Sequence, residues 1–233
     1  MAEMLQSTGS LTTTLRLTAG DLRIVHDVTV PAEKVPATDV IPALQKLVNA
    51  VVAEAERKSS RAVSCRKGCG ACCRQLVPVS RTEGERLNAL VDAMPAERRA
   101  ALDARFVAAS ELIERAGLAD AGGRSDREMS TGYFALGVAC PFLEEESCSI
   151  HAERPLVCRE YLVTSPATLC AGPAQEGVTP VAVPKFSMAA RKMQDESDGW
   201  FPLALLRRQT RRPAGCRPGP EWVQRFLKGL TVK

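Results

Sequence analysis

Two stretches near the amino terminus alternate apolar with polar side chains, Leu11 to Leu17 and Leu22 to Val30. Alternation at period two puts every second side chain on one face, and with Ala19-Gly20-Asp21 between the stretches it predicts a β-hairpin turned by glycine. Pro31 and Pro36 end it. From Asp39 to about Lys58 the period changes. Ile41, Leu44, Leu47, Val48, Val51 and Val52 recur at helical spacing and predict an amphipathic helix.

Ser80 with Glu83 three positions later matches a capping box, so a helix is expected from Thr82 to about Ala93. Pro95 starts another, Ala96 to Leu118, with Leu102, Phe106, Ala109, Leu112 and Ile113 on one face and Gly117 near its end. The polar, glycine-rich segment Ala119 to Ser130 reads as a loop, and Tyr133 to Val138 as a short strand leading to Cys140-Pro141. Three more helices are expected at about Lys185 to Gln194, Leu203 to Arg211 and Glu221 to Leu230, separated by prolines. There is no internal repeat.

A chain of 233 residues can bury a core without cross-links. Its nine cysteines therefore need another explanation. They are grouped: Cys65, Cys69, Cys72 and Cys73 form one knot, Cys140, Cys148 and Cys158 a second, and Cys170 and Cys216 follow. The amino terminus carries Glu3 and no apolar run of secretory-signal length, and no stretch reaches the roughly 18 apolar residues of a membrane span. The expectation is a cytoplasmic protein without a membrane partner. In that reducing compartment clustered cysteines serve metal or redox chemistry rather than structural disulfides.

The formal charge of +4 and the aromatic content of 4% give little for nucleic acid to bind or stack on. The arginine-rich stretch Arg207, Arg208, Arg211, Arg212 and Arg217 reads first as a solvated face. Cys216 lies within it and is expected as a free thiol. Trp200 and Trp222 are expected as packing anchors.

Spacings of two or three residues in Cys65-Arg-Lys-Gly-Cys69-Gly-Ala-Cys72-Cys73 let one tight loop turn several sulfurs toward an ion. Gly68 and Gly70 permit the positive φ that turns backbone amides toward thiolates. The side chains of vicinal Cys72 and Cys73 diverge, which points to two centres or one multinuclear cluster. In the second knot Pro155 is placed to open a short helix carrying Cys158, and Arg154 and Arg159 bracket that cysteine. Guanidinium groups there would offset the negative charge of a tetrathiolate centre, the alternative being surface pairing with Glu153 or Glu160.

Together the knots resemble the CxxCxxCC cysteine-cluster family (the YkgJ type), zinc- or iron-chelating domains related to flagellin lysine N-methylases. The resemblance rests on the Cys65 to Cys73 knot, on Cys140-Pro141-Phe142-Leu143, and on Cys148-Ser-Ile followed by Arg154-Pro155 and Cys158-Arg159, and it spans roughly Ser64 to Cys170. It implies metal ligation by Cys65, Cys69, Cys72, Cys73, Cys140, Cys148 and Cys158, with Cys170 as the eighth. The first gap of the knot has three residues where the family has two. His151 stands where the family often has tyrosine; an ordinary polar role near a turn is the favoured reading for it over a nitrogen ligand.

The expected fold is α+β and mainly helical, an amino-terminal β-hairpin plus helices around a cysteine-ligated metal core. Residues 1–63 form the hairpin and helix, 64–170 the cysteine-cluster domain with a helical insertion at 80–118, and 171–233 a helical extension. The expected cofactor is zinc or an iron-sulfur cluster, in one or two centres. Two further readings compete with plain metal binding: a protein-modifying enzyme like the methylase relatives, acting on a protein substrate, and a structural zinc module. Cys65, Cys69 and Cys72 also have the CxxxCxxC spacing of radical S-adenosylmethionine enzymes, but helices follow instead of an alternating barrel.

Overall fold

The hairpin forms where the alternation places it. Strands β1 (Ser10–Ala19) and β2 (Leu22–Pro31) pair antiparallel from Leu11 opposite Val30 to Ala19 opposite Leu22, with Gly20 left-handed at the turn, φ 59°. The computed structural model describes residues 9–120, 123–172, 177–194, 199–209 and 215–231. A short strand β3 (Lys34–Pro36) leads to helix α1 (Ile41–Lys58). One face of β2, Leu22, Ile24, Val28 and Val30, is buried against the apolar stripe of α1, as two matched periods require.

Strand β4 (Pro78–Ser80) runs into α2 (Arg81–Asp92), opened by the expected reciprocal capping box of Ser80 and Glu83. Helix α3 (Ala96–Arg115) follows. It buries Leu102, Phe106, Ala109 and Ile113 as expected, while Leu112 is largely exposed. The next stretch departs from expectation. In place of a loop and then a strand, helix α4 (Asp126–Ala135) starts inside the polar segment, on a second capping box of Ser125 and Glu128, and buries Met129 and Tyr133. The two satisfied end amides outweigh the β preference of the aromatic pair Tyr133-Phe134.

Between α4 and the last helix the elements are short. Strands β5 (Leu143–Glu144) and β6 (Ser147–Cys148) form a tight hairpin, α5 (Leu156–Glu160) carries Cys158, and α6 (Phe186–Ala190) is shorter than the helix expected there. Strand β7 (Trp200–Pro202) pairs with β4, and a 3-10 turn over Leu203–Arg208 replaces the expected helix, whose end at Arg211 lies outside the described residues. Strand β8 (Cys216–Pro218) pairs with β3 before α7 (Gly219–Thr231).

The apolar residues divide into two clusters. One joins the hairpin, α1, α6 and α7 with Leu156 and Leu162; the other joins α2, α3 and α4 with Phe142, Ile150 and Phe201 to Leu206. Cys65 packs on the first, and Cys140 and Cys148 pack on the second. The cysteine loops thus lie where the two clusters meet. Trp222 anchors the first cluster, fully buried, with its indole N–H donating to the Val35 carbonyl at 2.8 Å. Trp222→Ala removes that ring and leaves a cavity, so a loss of about 4 kcal/mol in unfolding free energy is expected in a urea titration.

Candidate metal centre

Each knot is shaped by its own backbone and then tied to the other. After α1 the chain turns at Gly68, φ 89°, and Cys72 and Cys73 sit on a 3-10 turn over Ala71–Arg74. The Cys140 amide donates to the Cys73 carbonyl at 2.7 Å, a direct main-chain link between knots. The β5–β6 hairpin closes over Gly70, where an added Cβ would lie 2.6 Å from Leu143 Cδ1 and 2.7 Å from the Glu146 carbonyl oxygen. Only glycine tolerates that approach. Glu145 and Glu146 both turn left-handed, φ 48° and 58°, at a cost of roughly 1–2 kcal/mol per residue. Arg74 grips Glu146 with two hydrogen bonds, 2.6 and 2.9 Å, holding the turn against the first knot.

The helix bearing Cys158 is fixed from across the molecule. Glu83 is buried and accepts from Ser80 Oγ at 2.8 Å through one carboxylate oxygen and from the Leu156 amide at 2.8 Å through the other. One side chain therefore satisfies the start of α2 and the start of α5. Pro155 precedes α5 as its cap residue instead of forming its first turn. Burial pushes the Glu83 carboxyl above its ordinary value, against the hydrogen bonds it accepts.

The arginines expected near Cys158 take different roles. Arg159 is buried and spends its donors on oxygen, from Nε to the Arg154 carbonyl at 2.9 Å, from Nη1 to Asn49 Oδ1 at 2.9 Å, and from Nη2 to the Ala152 carbonyl. Burial lowers its pKa to about 10. Arg154 donates through Nη1 to the His151 carbonyl at 3.0 Å and lies 2.7 Å from His151 Nε2. Neither arginine pairs with Glu153 or Glu160: Glu153 holds Arg86 at 2.9 Å, and Glu160 accepts from Ser187. His151 is held below its usual range by burial and by Arg154, Lys67 and Arg159, which keeps it neutral.

The sulfurs form two overlapping groups. Cys158 is pushed well up by burial and then by Cys140, Cys72 and Cys148; Cys140 is pushed up to about 12 by burial, with Cys148 and Cys72 adding to it. On the other side Cys65 is raised by burial and then by Cys72, Cys170 and Cys69, and Cys170 by burial and then by Cys72 and Cys69. Cys72 belongs to both groups, and its contact with the Cys73 thiol is the largest cause of its own strong upward shift. Tyr161 sits inside the second group, its hydroxyl donating to Cys170 Sγ and its carbonyl accepting from Cys65 Sγ, each at 3.9 Å. Cys216 is exposed on β8, opposite Pro36. The arginines near it serve as ion-pair partners: Arg207 of Asp92 and Asp103, Arg217 of Glu221, while Arg211 and Arg212 lie outside the described residues.

Among the described residues no three His, Cys, Asp or Glu side chains stand ready-made around one ion. The donor chemistry nonetheless fits a thiophilic metal, because the two groups consist of thiols alone, the ligands that zinc and iron with sulfide both take. Residues 64–178 match the sequence model of the CxxCxxCC family, described as "Putative zinc- or iron-chelating domain". No curated protein and no solved structure matches the chain. No helix among the described residues is long and apolar enough to cross a membrane.

Sequence reasoning missed Tyr161, Glu83 as the anchor of α5, and the Arg74–Glu146 clamp. The capping box pointed to Glu83, but its second partner lies 73 residues away. Two outcomes are expected. Gly70→Ala should drive the β5–β6 hairpin off the first knot and cost roughly 1–3 kcal/mol in denaturant unfolding. Glu160, like Glu83, is raised above its ordinary 4.5 by burial, so the native state holds its proton longer than the unfolded chain. Stability is then lost as pH rises from about 4.5 through the folded value. Glu160→Gln, whose amide keeps both bonds to Ser187, should flatten that slope in unfolding free energies measured from pH 4 to about 7.

Proposed function

We propose that this is a metal-chelating protein of a reducing compartment, the cytoplasm, in which eight thiolates divide between two centres. Cys65, Cys69 and Cys170 take one member of the vicinal pair Cys72–Cys73, and Cys140, Cys148 and Cys158 take the other. What supports this reading is the geometry of the loops: Tyr161 contacts both Cys170 and Cys65, each at 3.9 Å, and the Cys140 amide donates to the Cys73 carbonyl at 2.7 Å, tying the second knot to the vicinal pair. The two thiols of this pair touch, and as adjacent sulfurs they can be given one to each of two ions.

The metal is zinc or iron with sulfide; zinc would lock the loops, and iron with sulfide would add one-electron chemistry. The protein's own residues hold the loops in place: Glu83 orients the helix of Cys158, Tyr161 spaces Cys65 from Cys170, and Arg154 favours the charged forms of Cys72 and Cys148.

Anaerobic purification with metal analysis, acid-labile sulfide and a visible spectrum tests the reading. Two thiolate centres per chain are expected, with Cys69→Ser lowering the content of one, Cys158→Ser that of the other, and Cys216→Ser leaving both intact. A chain without metal after anaerobic reconstitution with zinc, and with iron and sulfide, would refute it. Loading should also expel protons, because the raised thiols are protonated in the metal-free protein near neutral pH. Affinity then rises with pH, and zinc calorimetry in buffers of different ionisation enthalpy should show about four protons released per ion.

A further inference from the structure

The loop between Cys65 and Cys69 is the outward face of the thiol groups. Arg66, Lys67 and Gly68 are exposed, and a side chain added at Gly68 would meet open space. Arg61, five residues before Arg66, is exposed too. None of these three cations forms an ion pair among the described residues, whereas Arg74 and Arg86 on the flanking elements each hold a carboxylate. Arg61 also borders an open cleft of about 320 Å³, shared with Lys58, Ser60, Thr164 and Thr179. Behind the cleft the buried Val163, next to Thr164, donates its amide to Cys65 and accepts from the Ser64 amide at 2.9 Å.

Unpaired cations cost nothing in water, but around a metal entrance they raise the local concentration of anions. The cleft is of the size that takes a small molecule. We propose that the Arg61–Arg66–Lys67 rim receives small polycarboxylate chelates, so that the centre at Cys65, Cys69 and Cys170 exchanges its metal with anionic carriers through this face. The inference rests on the two-centre reading above. In the outward direction metal–thiolate bonds give way to metal–carboxylate bonds, the freed thiolates each take up a proton from water, and no electron moves.

The test follows release of zinc from the fully loaded chain by EDTA, a polycarboxylate, and by phenanthroline, which is neutral. Release to EDTA should slow about tenfold as salt rises from about 10 to 200 mM, as screening removes the steering; release to phenanthroline should not change. The variant Arg61→Glu, Arg66→Glu, Lys67→Glu should lose the EDTA salt dependence. A control with the same change in net charge, Arg16→Glu, Lys34→Glu, Lys46→Glu on the exposed hairpin, β3 and α1, should keep it. If charge reversal unfolds the loop, the glutamine version of the rim triple should still reduce the slope while holding zinc. Equal salt slopes in rim variant and wild type, or equal losses in rim and control, would overturn the proposal. A chain that holds no zinc at the outset would overturn the two-centre reading instead, and that is visible before any chelator is added.

Discussion

The structure depends on keeping many ionisable sulfurs together in a half-buried place. A thiol is a small, weakly polar group that an apolar interior accepts, whereas a thiolate is a charge that burial and like neighbours both oppose. The chain meets this by setting its cysteine loops where two apolar clusters meet. Burial there favours the neutral thiol at Cys65, Cys140, Cys148, Cys158 and Cys170, and a bound cation would offset that cost. The surrounding polar groups are organised to the same end. Glu83, Arg159 and Gln75 direct their hydrogen bonds to backbone groups and, for Glu83 and Arg159, to Ser80 and Asn49, so these three side chains position the loops without engaging a sulfur.

Much of this was legible in the sequence, and the parts that were not share a physical cause. The β1–β2 hairpin, α1, α2 and α3 are long and strictly periodic, so local pattern decides them. The cysteines announced themselves by spacing. What escaped was short or distant: α4, whose capping box lies inside a stretch rich in glycine and charge; β7 and β8, three residues each and formed only because β4 and β3 offer edges. Leu203 to Arg211 reads as a separate helix in the sequence because the partners of Leu203 to Leu206 lie about a hundred residues upstream, on α2 and α3. Arg154 and Arg159 flank Cys158 in the sequence, but spacing could not tell that their donors would be used on oxygens.

The chelating reading and the basic rim belong to opposite ends of one arrangement. Cys140 and Cys158 face inward, between Tyr133 and Glu83, while Cys65 and Cys69 flank an exposed loop. Cys170, grouped with Cys65 and Cys69, is itself buried, so only the edge of that group formed by the Cys65–Cys69 loop borders solvent.

The link from the Cys140 amide to the Cys73 carbonyl carries a consequence for how the molecule assembles. Cys140, Cys148 and Cys158 follow one another closely along the chain, so gathering them closes only short loops, two of whose residues are already brought near by the β5–β6 hairpin. Joining Cys65 to Cys170 closes a far longer one, and loop-closure entropy grows with length, though slowly. Once the amide of Cys140 has caught the carbonyl of Cys73, the first knot is delivered to the second, and what remains for the last sulfur is the short span from Cys158 to Cys170.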